Sequence, residues 1–483
     1  RAAPGGRGAL AAVPEPAELA DGVAASGADA LVYLVPGFGG DDGAALLVRG
    51  PGGPVVALPL PGLSAAGRRP LEAYLTAAAR RSGQRRAREA EAPEAESGWE
   101  AALDELCAWA GPAVVGPLLE RLAAEGVRRT PVRLVLVPCG NLGVVPWHAA
   151  RLAGGHACEV AVFSYAASGA QFLEAAGRAR RPVRERPVLV ADPRLDLLWA
   201  TDEVLTLRAA HYQRAALYGE LATGPPPEGI AGAGTPEELL ALLPGAANGG
   251  ADGTANGGAD GTGPASLLHI ASHGEAGARP TVSALALADA GADGTGRGGN
   301  DGDASGDGGL LTVTRLLDRP GGGPAPGEPG PLVVLSACET DLSRRDHDEA
   351  LTLTTALVAR GASDAVGSRW TTVDGASALM MVVFHHHLTV EGLAPADALR
   401  AAQLWMLDPE RRPPPGMGGQ LAREARRPSL QRVAEWAAFV HQGSPRPNPP
   451  KDSPKDPPKA LAKDPPKDPP TESPKNSSEE AGR

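Results

Sequence analysis

The chain has 483 residues, 42% hydrophobic and 21% charged, enough for one large or two ordinary globular units. A net charge of −11 with no basic stripe argues against a nucleic-acid binder. Four cysteines (Cys107, Cys139, Cys158, Cys338) without a Cys-x-x-Cys pair exclude a disulfide framework and a zinc ribbon, and make a reducing, cytoplasmic setting the expectation.

Residues 1–28 are rich in Ala, Gly and Pro, lack the apolar core of a signal peptide and read as a linker. The chain starts with Arg1, so further sequence upstream is expected. Three short apolar runs at 30–35, 44–49 and 54–58, separated by Gly-rich turns, predict an antiparallel meander. Helical spacing follows at 70–81, 99–110 and 115–124. An α/β part opens with the strand 131–138 and the loop 139–148, then strands at 159–165 and 187–192 and helices at 168–178, 202–211 and 236–243. Arg178, Arg180, Arg181, Arg184 and Arg186 read as a solvated basic loop.

An octapeptide, Ala-Asn-Gly-Gly-Ala-Asp-Gly-Thr, is written twice over 247–262, and 290–309 is similar filler. Neither has the nine-residue period of calcium-binding repeats, so both are expected to be flexible loops. Apolar runs at 266–271 and 331–335 read as buried parallel strands. Beyond them the pattern predicts a helix over 348–360, a strand over 363–370, a helix over 374–388 with Asp374 as N-cap, and helices over 395–405 and 420–441. Residues 443–483 carry a Lys-Asp-x-Pro pattern and are expected to be a disordered or polyproline-II-like tail. No run approaches the ~18 apolar residues that cross a bilayer, so no membrane partner is expected.

Two strings carry the chemistry: Ser272-His273-Gly274 and Leu335-Ser336-Ala337-Cys338-Glu339-Thr340. Each closes a buried strand, and reactive groups in open α/β sheets sit where strands end. A His at one strand end and a Cys at another form the layout of a cysteine-nucleophile hydrolase, with His273 taking the Cys338 proton. The backbone N–H groups of Gly274 and Cys338 are candidate oxyanion donors. A buried strand-end cysteine is the usual fate of a free thiol; the pairing with His273 favours the nucleophile. His269, four residues before His273, shares its strand face. A zinc His-x-x-x-His pair belongs on a helix with Glu after the first His, whereas Ile270 stands here, so no metal is expected and His269 reads as a buried, hydrogen-bonded support. The triplet His385-His386-His387 reads as surface.

The strings Leu268-His269-Ile270-Ala271-Ser272-His273-Gly274, Val334-Leu335-Ser336-Ala337-Cys338-Glu339-Thr340 and Gly367-Ser368-Arg369-Trp370-Thr371-Thr372-Val373-Asp374 together resemble a CHAT domain. This is the caspase-like module often joined to tetratricopeptide repeats and related to separase in the clan of caspases and gingipains. The loop Pro138-Cys139-Gly140-Asn141-Leu142-Gly143-Val144-Val145-Pro146-Trp147, Asp192-Pro193 and Asp202-Glu203 fit the same pattern, so the resemblance covers roughly residues 29–442. It implies an α/β fold with a caspase-like, mostly parallel sheet flanked by helices. A supporting, protease-like part is expected over 29–263 and the catalytic part over 264–442. It also implies a cysteine endopeptidase with a His273–Cys338 dyad, no cofactor, a protein substrate and a regulatory repeat module upstream. Cleavage after Arg or Lys would place an acidic group in the pocket for that residue. Asp374 and Asp341 are the candidates, and Trp370 would pack the pocket wall. Asp341 departs from the family's usual Gly after Cys-Glu-Thr and would reshape the cleft rim. The alternatives are a non-catalytic caspase-like scaffold for protein–protein interaction and a hydrolase of small amides.

Overall fold

The structure is a computed structural model that describes residues 13–87, 92–221, 230–245, 263–275, 277, 279–289, 308–318, 324, 327–337 and 351–449. Cys338, Asp341, the octapeptide repeat, residues 290–307 and the tail beyond residue 449 lie outside the described residues. In chain order the strands are β1 (Ala30–Val35), β2 (Gly43–Val48), β3 (Val56–Leu60), β4 (Val132–Pro138), β5 (Arg151–Leu152), β6 (Gly155–His156), β7 (Ala161–Tyr165), β8 (Pro187–Ala191), β9 (Ala216–Gly219), β10 (Ile230–Gly232), β11 (Leu267–Ala271), β12 (His273–Glu275), β13 (Ala284–Ala286), β14 (Leu310–Thr312), β15 (Leu332–Ser336), β16 (Asp364–Ser368) and β17 (Phe439–Gly443).

Twelve of them form one sheet in the order β10-β9-β8-β11-β15-β16-β17-β7-β4-β1-β2-β3. From β10 to β16 every neighbouring pair is parallel, and β17, β7, β4 and β1 are parallel to one another. The two blocks meet antiparallel at β16 and β17. The carboxyl ends of β8, β11 and β15 therefore share one rim, and those of β1, β4 and β7 lie on the opposite rim. This is the mostly parallel, helix-flanked α/β sheet expected. The apolar runs of β11 and β15 are continuous because helices cover both sheet faces. Leu267, Ala271, Leu332 and Val334 face helices Ala200–Ala210 and Asp374–His386. Leu268, Ile270, Val333 and Leu335 face Leu239, Leu316 and Leu357 on the other side.

Several expectations change. Within the stretch read as a linker, Pro16–Ser26 is a helix, started by a Glu15–Glu18 capping box and packed through Val23 near Phe172. The expected antiparallel meander is present as β1-β2-β3, and β1 joins it to the large sheet by pairing with β4. The sheet is continuous across residue 263, where β8 pairs directly with β11. The helix expected over 420–441 is short helices and a strand. Pro428 bars the α region at Arg427, and β17 follows as the joint of the two blocks. The N-cap of helix Asp374–His386 is Val373, with Asp374 in its first turn.

The basic loop is also more engaged than its composition suggests. Arg178 Nη1 donates to Val358 O and Ala362 O at the end of helix Leu353–Ala359. Arg180 grips the fully buried Asp364 with Nε and Nη2 at 2.8 and 2.9 Å. His441 Nε2 reaches the same carboxylate at 2.9 Å, and His441 Nδ1 reaches Ser164 Oγ at 2.9 Å. One buried charge network thus ties β16, β17 and β7 together at the joint. Among the described residues no helix is long and apolar enough to cross a membrane.

Candidate active site

The site builds up from the register of β11 and β15. Ala271 pairs with Ser336, so His273 stands two residues beyond its half of that pair. Cys338 stands two residues beyond the other half in the sequence. Immediately after β11 the chain enters a three-stranded antiparallel sheet, β12-β13-β14, with His273 opposite Ala286 and Gly274 opposite Leu285. This small sheet, not signalled in the sequence, fixes the His273 backbone at the rim.

The loop after β8 closes the same rim. Its Asp192 N–H donates to Ala271 O at 2.8 Å. Asp192 is buried, and its Oδ2 accepts the Leu197 N–H at 2.6 Å. Burial raises the Asp192 carboxyl pKa; the Leu197 N–H opposes the shift, and the neighbouring Asp196 charge adds to it. Leu195, at φ 56°, is the non-glycine residue with positive φ among the described residues. A left-handed leucine costs about 1–3 kcal/mol, and the strained turn presents the next side chain outward. That side chain is Asp196, whose Oδ1 lies 3.2 Å from His273 Nε2. With Nε2 occupied, Nδ1 is the ring nitrogen left for another partner. Leu198, 88% exposed, flanks the pair.

Asp374 lies behind this rim. Its Oδ2 accepts the Trp199 N–H at 3.1 Å. Burial raises its pKa against the Trp199 bond, Glu203 raises it further and His273 lowers it. Trp370 is 3% exposed, packs edge-on to Trp99 at 5.9 Å and donates Nε1–H to Ala434 O at 2.9 Å, which makes it a backing residue.

Below the rim, Ser336 Oγ donates to Glu203 Oε2 at 3.0 Å, and Ser368 Oγ donates to Ala337 O at 2.7 Å. His269 is buried, as expected. The expectation of a surface triplet fails at His385, which is fully buried and bonded to His269. Only one of three consecutive helical positions can face the sheet, and here it is the first. Sequence reasoning missed Asp196, Glu203 as a site residue, and His385. The signal for His385 was available, because it closes a run, 375–384, that is apolar on nearly every side and buried throughout, as in a helix enclosed on all faces.

A mostly parallel, helix-flanked sheet defines the class as α/β, and His273 and Asp196 stand together at its carboxyl rim. A family model of the CHAT domain matches residues 104–444, most of the sequence, and the chain belongs to the CHAT domain family. No curated protein matches it. Among solved structures it is similar to the Saccharomyces cerevisiae separase–securin complex, with 10% identity and a TM-score of 0.39 over 69% of this chain and 17% of that one. It is similar also to the Arg-specific cysteine proteinase gingipain R, with 10% identity and a TM-score of 0.38 over 69% of this chain and 68% of that one.

Proposed function

We propose that this chain is a cysteine endopeptidase in which Cys338 attacks a peptide carbonyl and His273 moves the proton. The observation that supports this best is the Ala271–Ser336 pairing, which starts both residues from the same level of adjacent parallel strands. Neighbouring strands lie about 4.8 Å apart, so the two groups begin within side-chain reach. In this reading His273 Nδ1 takes the thiol proton, and the sulfur bonds to the carbonyl carbon while the Gly274 and Cys338 N–H groups hold the oxyanion. His273 then protonates the departing amine nitrogen as the C–N bond breaks. Water attacks the thioester, giving one proton to His273, and the sulfur leaves to take it back. Asp196 steadies the imidazolium formed between these steps.

His273 and Asp196 are both well exposed, so solvent screens their attraction. Asp196→Asn is therefore expected to lower kcat about tenfold or less, with the deficit shrinking at high salt. A loss that is independent of salt would contradict this role.

The substrate is a specific protein partner cut after Arg or Lys, with Asp374 and Asp341 as candidate pocket acids. In this reading a repeat module upstream controls the activity, in a cytoplasmic setting. Cleavage profiling on a peptide library tests the preference. Loss of one charged contact should reduce turnover of basic substrates about 10- to 10²-fold relative to neutral ones. If neither Asp374→Ala nor Asp341→Ala changes the ratio, the basic preference is wrong. The activity itself is tested with an electrophilic peptide probe under activating conditions. Modification of the wild type but not of Cys338→Ala supports the peptidase, and equal modification of both favours a scaffold.

A further inference from the structure

Four buried polar side chains beneath the site have no part in the cleavage chemistry, yet they form a continuous series with Ser336. Tyr212 Oη and His385 Nδ1 are 2.7 Å apart, and His385 Nε2 and His269 Nδ1 are 3.1 Å apart. His269 Nε2 lies 2.9 Å from Glu203 Oε1 in a charge contact off the line of a hydrogen bond. Glu203 Oε2 accepts from Ser336 Oγ. All five residues are at most 8% exposed. Burial, then the neighbouring His269 and His211, push the His385 pKa well below 6.5. A neutral imidazole offers one donor and one acceptor, so His385 relays donation from Tyr212 towards His269 and Glu203, while Ser336 donates to Glu203 from the other end.

Such a series is costly. Burying a carboxylate costs several kcal/mol before pairing, and apolar side chains would fill the space more cheaply. Among the described residues, His269 is the basic side chain in contact with the Glu203 carboxyl, at 2.9 Å. Where the carboxylate sits is therefore telling. It spans β11 through His269 and β15 through Ser336, the two strands that lead into the proposed reacting residues. The carbonyl of the next residue, Ala337, is fastened by the Ser368 hydroxyl.

We infer that Glu203 is the positioning residue of the site: bridged between His269 and Ser336, it fixes the directions in which β11 and β15 leave the sheet. This rests on the reading of His273 and Cys338 as the reacting pair. A displacement of about 1 Å at reacting groups costs about 10²-fold in rate, which is what the bridge guards against.

The test uses the full chain, with Glu203→Gln, Ser336→Ala and, as a control, Cys338→Ala. The readouts are kcat and KM on a peptide substrate and the pH profile of Cys338 alkylation by iodoacetamide, resolved by peptide mapping. The other thiols compete poorly, since burial raises the pKa of Cys107, Cys139 and Cys158, the last to about 12. The Gln and Ala variants are expected to lose about 10- to 10²-fold in kcat, with KM held within about twofold. Their alkylation midpoint should move up towards that of an ordinary thiol. The double variant should lose less than the product of the singles, because both cut one tie. Folded variants with a wild-type kcat and alkylation profile overturn the inference. So does a lowered melting temperature with an unchanged profile. If Glu203→Gln does not fold, Ser336→Ala decides alone by the same readouts. Should Cys338→Ala keep wild-type turnover, the fault lies with the peptidase reading and not with the bridge.

Discussion

Replacing Cys338 with alanine is expected to abolish cleavage of the protein partner, a fall in kcat/KM of at least about 10⁴-fold. Alanine has no group that can form the thioester, and water at the rim has no activated substitute. His273→Ala should fall by a similar factor, because an uncharged thiol near its free pKa is a poor nucleophile at neutral pH. The double variant should be no worse than either single, since nucleophile and base act as one unit. Single-turnover assays on the partner protein or a peptide library check this. Additive losses would mean that the two residues act independently.

The second large effect is on stability. Asp364→Ala leaves Arg180 beside the joint without its carboxylate and removes a His441 contact. Breaking a buried pair from one side costs about 3–5 kcal/mol, a large share of the roughly 5–15 kcal/mol that holds a domain. Burial alone would raise the Asp364 pKa; Arg180 and the His441 bond overcome it and hold the carboxyl well below the usual range. The folded value lies below the unfolded one, so the stabilisation is complete above about pH 4 and fades as the pH falls through the lower, folded value. Urea unfolding at neutral pH and thermal melts in acid should show wild type and Asp364→Ala far apart at pH 7 and converging as the pH drops below about 4. A constant separation across that range would contradict the electrostatic account of the joint.

These two predictions differ in how far the sequence alone led to them. The strands that lead to His273 and Cys338 were legible because each is an apolar run too short for a helix and too continuous for a surface strand. Asp196 was not, since its loop has no periodicity and meets His273 only because β8 and β11 pair across a long stretch of chain. Asp364 begins a strand that the sequence marked, but its partners Arg180 and His441 come from a loop read as solvated and from a segment read as helix. β17 was misread because Trp436, Phe439 and Val440 mimic helical spacing; Pro428 was the opposing signal. The bridge through Glu203 depends on which turn of helix Ala200–Ala210 faces the sheet, and helix packing sets that.

The most direct measurement is a crystal structure of the chain reacted with a peptidyl chloromethyl ketone ending in arginine. The account expects the adduct on Cys338 Sγ, with a ring nitrogen of His273 within about 4 Å of the sulfur or one water away. An adduct on Cys139, or a His273 ring beyond that reach with Cys338 modified, would contradict it.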